Sequence, residues 1–343
     1  MPDNICVIVG ASHAGVQLAL SLRQGGWGGK IQLVSDERAV PYQRPPLSKG
    51  VLDGSKEPEA IALRPATLLE KSDLEFIPGR RVTRIDRQKR LLELDNGVYL
   101  PYDKLALTTG ARPRTLSLTG HDQDGVFYLR TLADVEQMRP FVTAARSVVI
   151  VGGGYIGLEA AAVLRKLGLE VTIIEALPRV LQRVTATEVS AFFQRVHREE
   201  GVRILTNTGV KSITGRGRAE YVICADGNEY AADLVIIAVG VTPNTELAEE
   251  AGLEVDNGIR VNEFAQCSDP DIVAAGDCTS FYSSIYRRTV RLESVQNATD
   301  QAKAAAALLN EDPQPYRAVP WFWSEQFDVK LQIAGLSEGH DTI

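Results

Sequence analysis

Apolar residues in this chain fall into short blocks separated by glycine and polar residues. The block "ICVIV", Ile5 to Val9, is continuous and rich in β-branched side chains, so it predicts a strand buried on both faces. It runs into the glycine turn "GASHAG", then a helix-periodic stretch to about Gln24, then a second apolar run, "KIQLVSDE", closing on Asp36 and Glu37. The same succession returns at "VVIVGGGYIGLEAAAVLRKLGLEVTIIEA", Val148 to Ala176, whose second strand ends in Glu175. Two further buried-strand blocks, "YDKLALTTGARP" and "ADLVIIAVGVTPN", each close on a glycine with a proline three residues later. Ahead of each lies a half-exposed segment with a turn dipeptide, at Asn96-Gly97 and at Asp226-Gly227, which predicts hairpins. The run "SVQNATDQAKAAAALLN" predicts a late helix opening near Val295. Strand and helix alternate twice over, which is the signature of an α/β protein with two nucleotide-binding domains of similar plan.

The turns carry candidate chemistry. Gly152, Gly154 and Gly157 complete the spacing G-x-G-x-x-G, while the first copy reads Gly10, Ser12, Gly15, with serine in the middle. In such a turn the first glycine reverses the chain, the second lets backbone approach a pyrophosphate, and the third lets helix pack on strand. Amides at the helix start then hold the phosphates. An acid at the end of the second strand accepts from a ribose hydroxyl and repels a 2′-phosphate, so Glu175 points to NADH over NADPH. Arg179 and Arg183 follow closely and keep the phosphate-bearing cofactor open; Arg183 either clamps a pyrophosphate or is surface charge. In the first copy Asp36 and Glu37 compete for the acid's place.

Composition bounds the rest. With 343 residues, 44% hydrophobic and 24% charged, the chain holds about two full domains. A net charge of −7 argues against a nucleic-acid binder. Without a basic leader or an apolar stretch of ~18 residues, a cytoplasmic protein without a membrane span is expected. The four cysteines, Cys6, Cys224, Cys267 and Cys278, have neither disulfide nor metal spacing and are expected to be buried or idle. No metal site is expected. The histidines, His13, His121, His197 and His340, are dispersed, and His197 reads as a solvated helix residue.

Four more stretches, "PYQRPPLSKG", "SDPDIVAAGDC", "RLESVQNATDQA" and "PWFWSEQ", together with both turns give the chain a family resemblance. Over its whole length it resembles the FAD-dependent NADH:ferredoxin reductases, with the rubredoxin reductases as near relatives. The resemblance implies the glutathione-reductase-type flavoprotein fold: an FAD-binding domain at 1–110 and 241–316, an NAD-binding domain at 111–240, and a partial α+β C-terminal domain at 317–343. The family's third domain runs further, so the chain is expected to be a fragment or a shortened member.

The resemblance also implies site residues. FAD would be met by Gly10, Ser12, Ala14, Gly15, Asp36, Lys49, Val82, Arg130, Asp277, Val295 and Trp323, with Asp277 on the ribitol. The nicotinamide nucleotide would be met by Gly152, Gly154, Ile156, Gly157, Glu159, Glu175, Arg183 and Gly240. Lys49 and Glu159 would form a buried catalytic pair by the flavin; the alternative is a solvated loop lysine and a carboxylate in the first helical turn. Trp321 and Trp323 would lie near flavin and nicotinamide. The implied activity moves a hydride from NADH to FAD, then single electrons to a [2Fe-2S] ferredoxin, or a rubredoxin, that serves a cytochrome P450 or ring-hydroxylating oxygenase. No cysteine pair stands near residues 40–50, so electrons would not leave through a dithiol. An acidic ferredoxin would dock on a patch offered by Arg287, Arg288, Arg291 and Lys303. An apoptosis-inducing-factor-like binding role and an NADH oxidase stay open as alternatives, and the protein is expected to be a monomer or weak homodimer.

Overall fold

A computed structural model describes residues 4–65 and 72–337, and His340 lies outside them. The chain divides into two compact units: Met1–Gln43, Ile61–Arg112 and Pro243–Phe322 form the first, and Arg44–Ala60, Pro113–Thr242 and Trp323–Ile343 the second.

In the first unit five strands form a parallel sheet in the order Ile272–Ala274, Lys104–Leu107, Ile5–Val9, Lys30–Val34, Leu74–Ile77. Ile5–Val9 is central, and Cys6, Val7 and Ile8 are wholly buried, as an unbroken apolar run requires. The helix His13–Gln24 ends where its periodicity stops, and it shares one core with the helix Val295–Leu309. Leu18 and Leu22 meet Ala302, Ala305 and Ala306 in that core. Each such leucine contributes about 1.5–3 kcal/mol on burial. The late helix opens as read: Ser294 caps it by accepting from the Asn297 amide at 3.1 Å. The strand read as far as Glu37 stops at Val34, because the Ser35 hydroxyl accepts from the Glu37 amide at 3.2 Å and turns the chain. Strands Val82–Asp86, Leu91–Leu94 and Tyr99–Pro101 form an antiparallel sheet whose turn falls at Asn96-Gly97.

The second unit repeats the plan. Its parallel sheet runs Arg203–Leu205, Glu170–Ile174, Ser147–Val151, Leu234–Ile237, Val126–Tyr128. A second antiparallel sheet, Val210–Thr214, Tyr221–Cys224 and Glu229–Ala231, turns at Asp226-Gly227. The short helical turn Pro45–Ser48 packs on the helix Tyr155–Lys166, which draws residues 44–60 into this unit although they lie in sequence within 1–110. The chain's last described hairpin joins Trp321–Gln326 to Val329–Ala334. Among the described residues no helix is long and apolar enough to cross a membrane.

Candidate functional site

The two glycine turns are copies in geometry as well as in sequence. A Cβ on Gly10 would lie 2.3 Å from the Thr108 carbonyl oxygen, and one on Gly152 would lie 2.4 Å from that of Ala238. One on Gly15 would lie 1.8 Å from the Gly10 oxygen, and one on Gly157 would lie 2.2 Å from the Gly152 oxygen. The first and third positions are thus closed by the protein's own backbone. The middle position differs: a Cβ on Gly154 meets nothing within 4 Å. Gly154 has φ −82° and Ser12 φ −100°, which any residue adopts. The Ser12 hydroxyl oxygen accepts no capping bond from the amides of its own helix, so it leaves that helix start open. Both turns present a helix start without a side-chain cap, and beside Gly154 lies space that nothing in the protein fills, which fits the phosphates of a dinucleotide.

Glu175 is latched to the second turn. Its Oε2 accepts from the Gly153 amide at 2.7 Å and its Oε1 from the Leu177 amide at 2.8 Å, so each oxygen retains a lone pair for a ribose hydroxyl. Arg179 is spent internally, donating to the Thr185 carbonyl at 2.8 Å and the Ser190 hydroxyl at 2.5 Å. Arg183 is exposed, and its Nη2 would lie 3.1 Å from a Cβ on Gly240. Ile156 is exposed at the helix start. In the first unit Asp36 is exposed and pairs with Arg81 at 3.2 Å, whereas Glu37 accepts from the Tyr42 hydroxyl.

Asp277 follows Gly276 in a turn that Gln301 locks: the Gln301 Oε1 accepts from the Gly276 amide at 2.9 Å and the Thr279 hydroxyl at 2.8 Å. A Cβ on Gly276 would lie 3.3 Å from that of Ala14, so the turn closes against the helix of the first fingerprint. Val295 is the first residue of its helix, and Val82 is buried in the antiparallel sheet. Lys49, Arg130 and Trp323 pack within the second unit, where the Arg130 carbonyl accepts from Arg44 at 2.8 Å.

Lys49 and Glu159 meet there. Lys49 Nζ lies 2.5 Å from Glu159 Oε2, with side chains 19% and 6% exposed. The helix begins at Tyr155, so Glu159 stands in its second turn, one turn later than expected, on the buried face. Ser48 donates to the same oxygen at 2.6 Å and Ser324 to Oε1 at 2.8 Å. A buried ion pair is weak evidence for stability, but breaking one side of it costs about 3–5 kcal/mol. Ser48, Ser324 and Gln301 were not found in the sequence. Each nevertheless lies in a stretch that carries the family resemblance: Ser48 in "PYQRPPLSKG", Gln301 in "RLESVQNATDQA" and Ser324 in "PWFWSEQ".

His197 is a correction: it is wholly buried rather than solvated. It lies one helical turn from Phe193, also buried, so both face inward. Burial holds its imidazole below the ordinary value, partly offset by a hydrogen bond with Gln326.

All four cysteines are free and buried. Burial pushes the Cys6 thiol up to about 12 despite Lys104, and raises the other three as well. None can serve as a thiolate near neutral pH. No group of three or more His, Cys, Asp or Glu among the described residues could hold a metal ion.

Each unit carries one such turn on a five-stranded parallel sheet, and the chain belongs to the pyridine nucleotide-disulphide oxidoreductase family, whose model matches residues 5–302. A second model, described as a reductase C-terminal domain, matches 321–343. Within the family the chain is 45% identical to putidaredoxin reductase of Pseudomonas putida, covering 99% of this chain and 82% of that one. It is 46% identical to rhodocoxin reductase of Rhodococcus erythropolis, covering 98% and 79%. With a rubredoxin-NAD(+) reductase of Pseudomonas putida the identity is 37%, covering 98% and 88%. The crystal structure of a covalent putidaredoxin reductase–putidaredoxin complex matches at a TM-score of 0.97 and 44% identity, covering all of this chain and 84% of that one. The chain is therefore a reductase that uses FAD and NAD(H) and passes electrons to a redox partner.

Proposed function

We propose that this reductase takes electrons from NADH and delivers them singly to a [2Fe-2S] ferredoxin that serves a cytochrome P450 or a ring-hydroxylating oxygenase. The observation that carries the proposal is two dinucleotide turns in a chain whose cysteines are all buried, with serine and lysine in "PPLSKG". A dithiol exit has no residues to run through. Relatives support the acceptor class: their names include putidaredoxin reductase and the ferredoxin--NAD(+) reductase component of an anthranilate 1,2-dioxygenase system.

FAD, when bound, would supply the exchange between a two-electron donor and a one-electron acceptor. The protein's share is to bind, orient and charge. The turn Gly10–Gly15, with Asp36, Val82, Asp277 and Val295, would hold FAD, joined by Lys49, Arg130 and Trp323. Gly152, Gly154, Gly157 and the start of the helix at Tyr155 would hold the nicotinamide nucleotide, with Ile156, Arg183 and Gly240 alongside. Glu175 would take a ribose hydroxyl, and the internal engagement of Arg179 leaves less positive charge for a 2′-phosphate, which favours NADH. Glu159 holds the Lys49 ammonium in one orientation through their ion pair. A cytoplasmic location goes with this reading.

The test is NADH oxidation by the flavin-loaded protein with ferricyanide, [2Fe-2S] ferredoxin, rubredoxin or oxygen alone. Turnover with ferredoxin well above the oxygen rate is expected. Fast ferricyanide reduction with no ferredoxin or rubredoxin turnover would sink the electron-carrier assignment, and turnover with rubredoxin alone would move the chain to that branch.

A further inference from the structure

We propose that Ser324, Gln326 and His197 form a one-directional chain of hydrogen bonds that orients Glu159, and through it Lys49, so that all three are positioning residues for the reductase reaction. This rests on the reading that places Lys49 and Glu159 in the site.

All the groups lie in the second unit, on three separate elements. Glu159 is on the helix Tyr155–Lys166, Ser324 and Gln326 are on the strand Trp321–Gln326, and His197 is on the helix Thr187–Glu199. Ser324 and Gln326 stand two apart on their strand and so point to one face. Both are wholly buried, as is His197. Ser324 Oγ lies 2.8 Å from Glu159 Oε1, Gln326 Nε2 lies 3.1 Å from Ser324 Oγ, and His197 Nε2 lies 2.9 Å from Gln326 Oε1.

The direction of the bonds is forced from one end. The Glu159 carboxylate can only accept, so the Ser324 hydroxyl hydrogen is spent on it. The Ser324 oxygen must then accept, which turns the nitrogen of the Gln326 amide toward it and the oxygen toward His197. His197 must therefore carry its hydrogen on Nε2. Its Nδ1 has no hydrogen-bond partner, as a neutral ring protonated on Nε2 allows. Burial lowers the pKa of the ring, which agrees with its being neutral. The Phe327 ring packs edge-on to the imidazole at 4.9 Å and holds its plane.

Apolar residues could anchor the strand at less desolvation cost. What a polar chain ending on a carboxylate adds is a fixed rotamer: with Ser48 and Lys49 on Oε2 and Ser324 on Oε1, the carboxylate has no free rotation. Lys49 is thereby held through Glu159.

The chain is cut at its remote end by His197→Leu, which touches neither Glu159 nor Lys49. In flavin-loaded protein, the maximal rate of NADH-dependent ferricyanide reduction should fall about tenfold while KM for NADH stays within about twofold. His197→Gln, which restores a donor near the Nε2 position, should recover most of the rate. Independently of turnover, brief acetylation followed by peptide mass spectrometry should show Lys49 labelled at least about fivefold faster in His197→Leu and Ser324→Ala, with exposed Lys303 as the unchanged reference. If Ser324→Ala does not fold, Ser324→Cys keeps the volume and weakens the donor. Wild-type labelling and wild-type maximal rate in folded His197→Leu and Ser324 variants would overturn the proposal, even with a lowered melting temperature. A wild-type rate in Lys49→Met would instead overturn the site reading, while the labelling would still decide whether the chain holds Lys49.

Discussion

Replacing Gly154 and Gly157 separately by alanine should divide nucleotide binding from folding within a single turn. At Gly157 the new methyl would lie 2.2 Å from the Gly152 carbonyl oxygen. Ordinary contacts lie near 3.5 Å or beyond, and backbone on both sides cannot yield as a flexible side chain would. Overpacking of this kind costs about 1–3 kcal/mol or more, which for a domain of this size lowers Tm by roughly 2–12 °C. At Gly154 the methyl meets nothing within 4 Å and the backbone already suits alanine. There the lost helix-start preference of glycine and the reduced freedom of the unfolded chain, each below about 1 kcal/mol, nearly cancel. Its Tm should stay within about 3 °C of the parent. The methyl would, however, stand where the pyrophosphate approaches, and a loss of about 1.4 kcal/mol or more weakens NADH at least tenfold. Circular dichroism melts and titration with NAD(H) measure the two effects. The reasoning is refuted if Gly154→Ala binds NADH like the parent, or if it melts as low as Gly157→Ala.

The first turn gives the matching experiment: Ser12→Gly should leave flavin content unchanged, whereas Ser12→Leu should yield protein without the flavin absorbance, and a flavin-replete leucine variant would contradict the assigned geometry. For stability against pH, the folded-state pKa of His197 is lowered from 6.5, so the unfolded chain binds the extra proton first. Stability from this residue is therefore full above 6.5 and drains as pH falls toward the folded value; His197→Gln should flatten the fall of Tm between pH 7.5 and 5.5. Among the residues of the expected docking patch, Arg291 is only 15% exposed and ion-paired with Glu293, while Lys303 is 58% exposed. Charge reversal of Lys303 and Arg288 should slow the on-rate for an acidic ferredoxin, most at low salt, and spare ferricyanide reduction; equal rates with ferredoxin would remove the patch.

The sequence exposed what is local. The strand Ile5–Val9, the helix to Gln24, the turns at Asn96-Gly97 and Asp226-Gly227 and the helix opening near Val295 each follow from a few neighbouring residues. Strand ends were less legible, since a single serine hydroxyl at Ser35 ended one three residues early. The site divided in the same way. The glycine spacing shows in the sequence, but the donors on Glu159 come from positions 48, 49 and 324, brought together only by packing. His197 was misread because charged neighbours, Arg198 and Glu199, outweighed its helical spacing from Phe193. A histidine whose partners arrive on a distant strand leaves no trace of them nearby.

Strand Ile272–Ala274 completes the first sheet by pairing with Lys104–Leu107. Between them in sequence lies the long middle segment of the second unit, Pro113–Thr242, so a ribosome must release that segment before the first sheet can close. Until then Lys104–Leu107 has an open edge, with Leu105, Ala106 and Leu107 as a bare apolar template. The loop to be closed is long, though its entropic cost grows only with the logarithm of its length. The hazard is thus one of time rather than free energy: the nascent chain spends its most aggregation-prone interval waiting for the residue numbers above 270, and slowing translation between 113 and 242 should lower the yield of correctly folded protein.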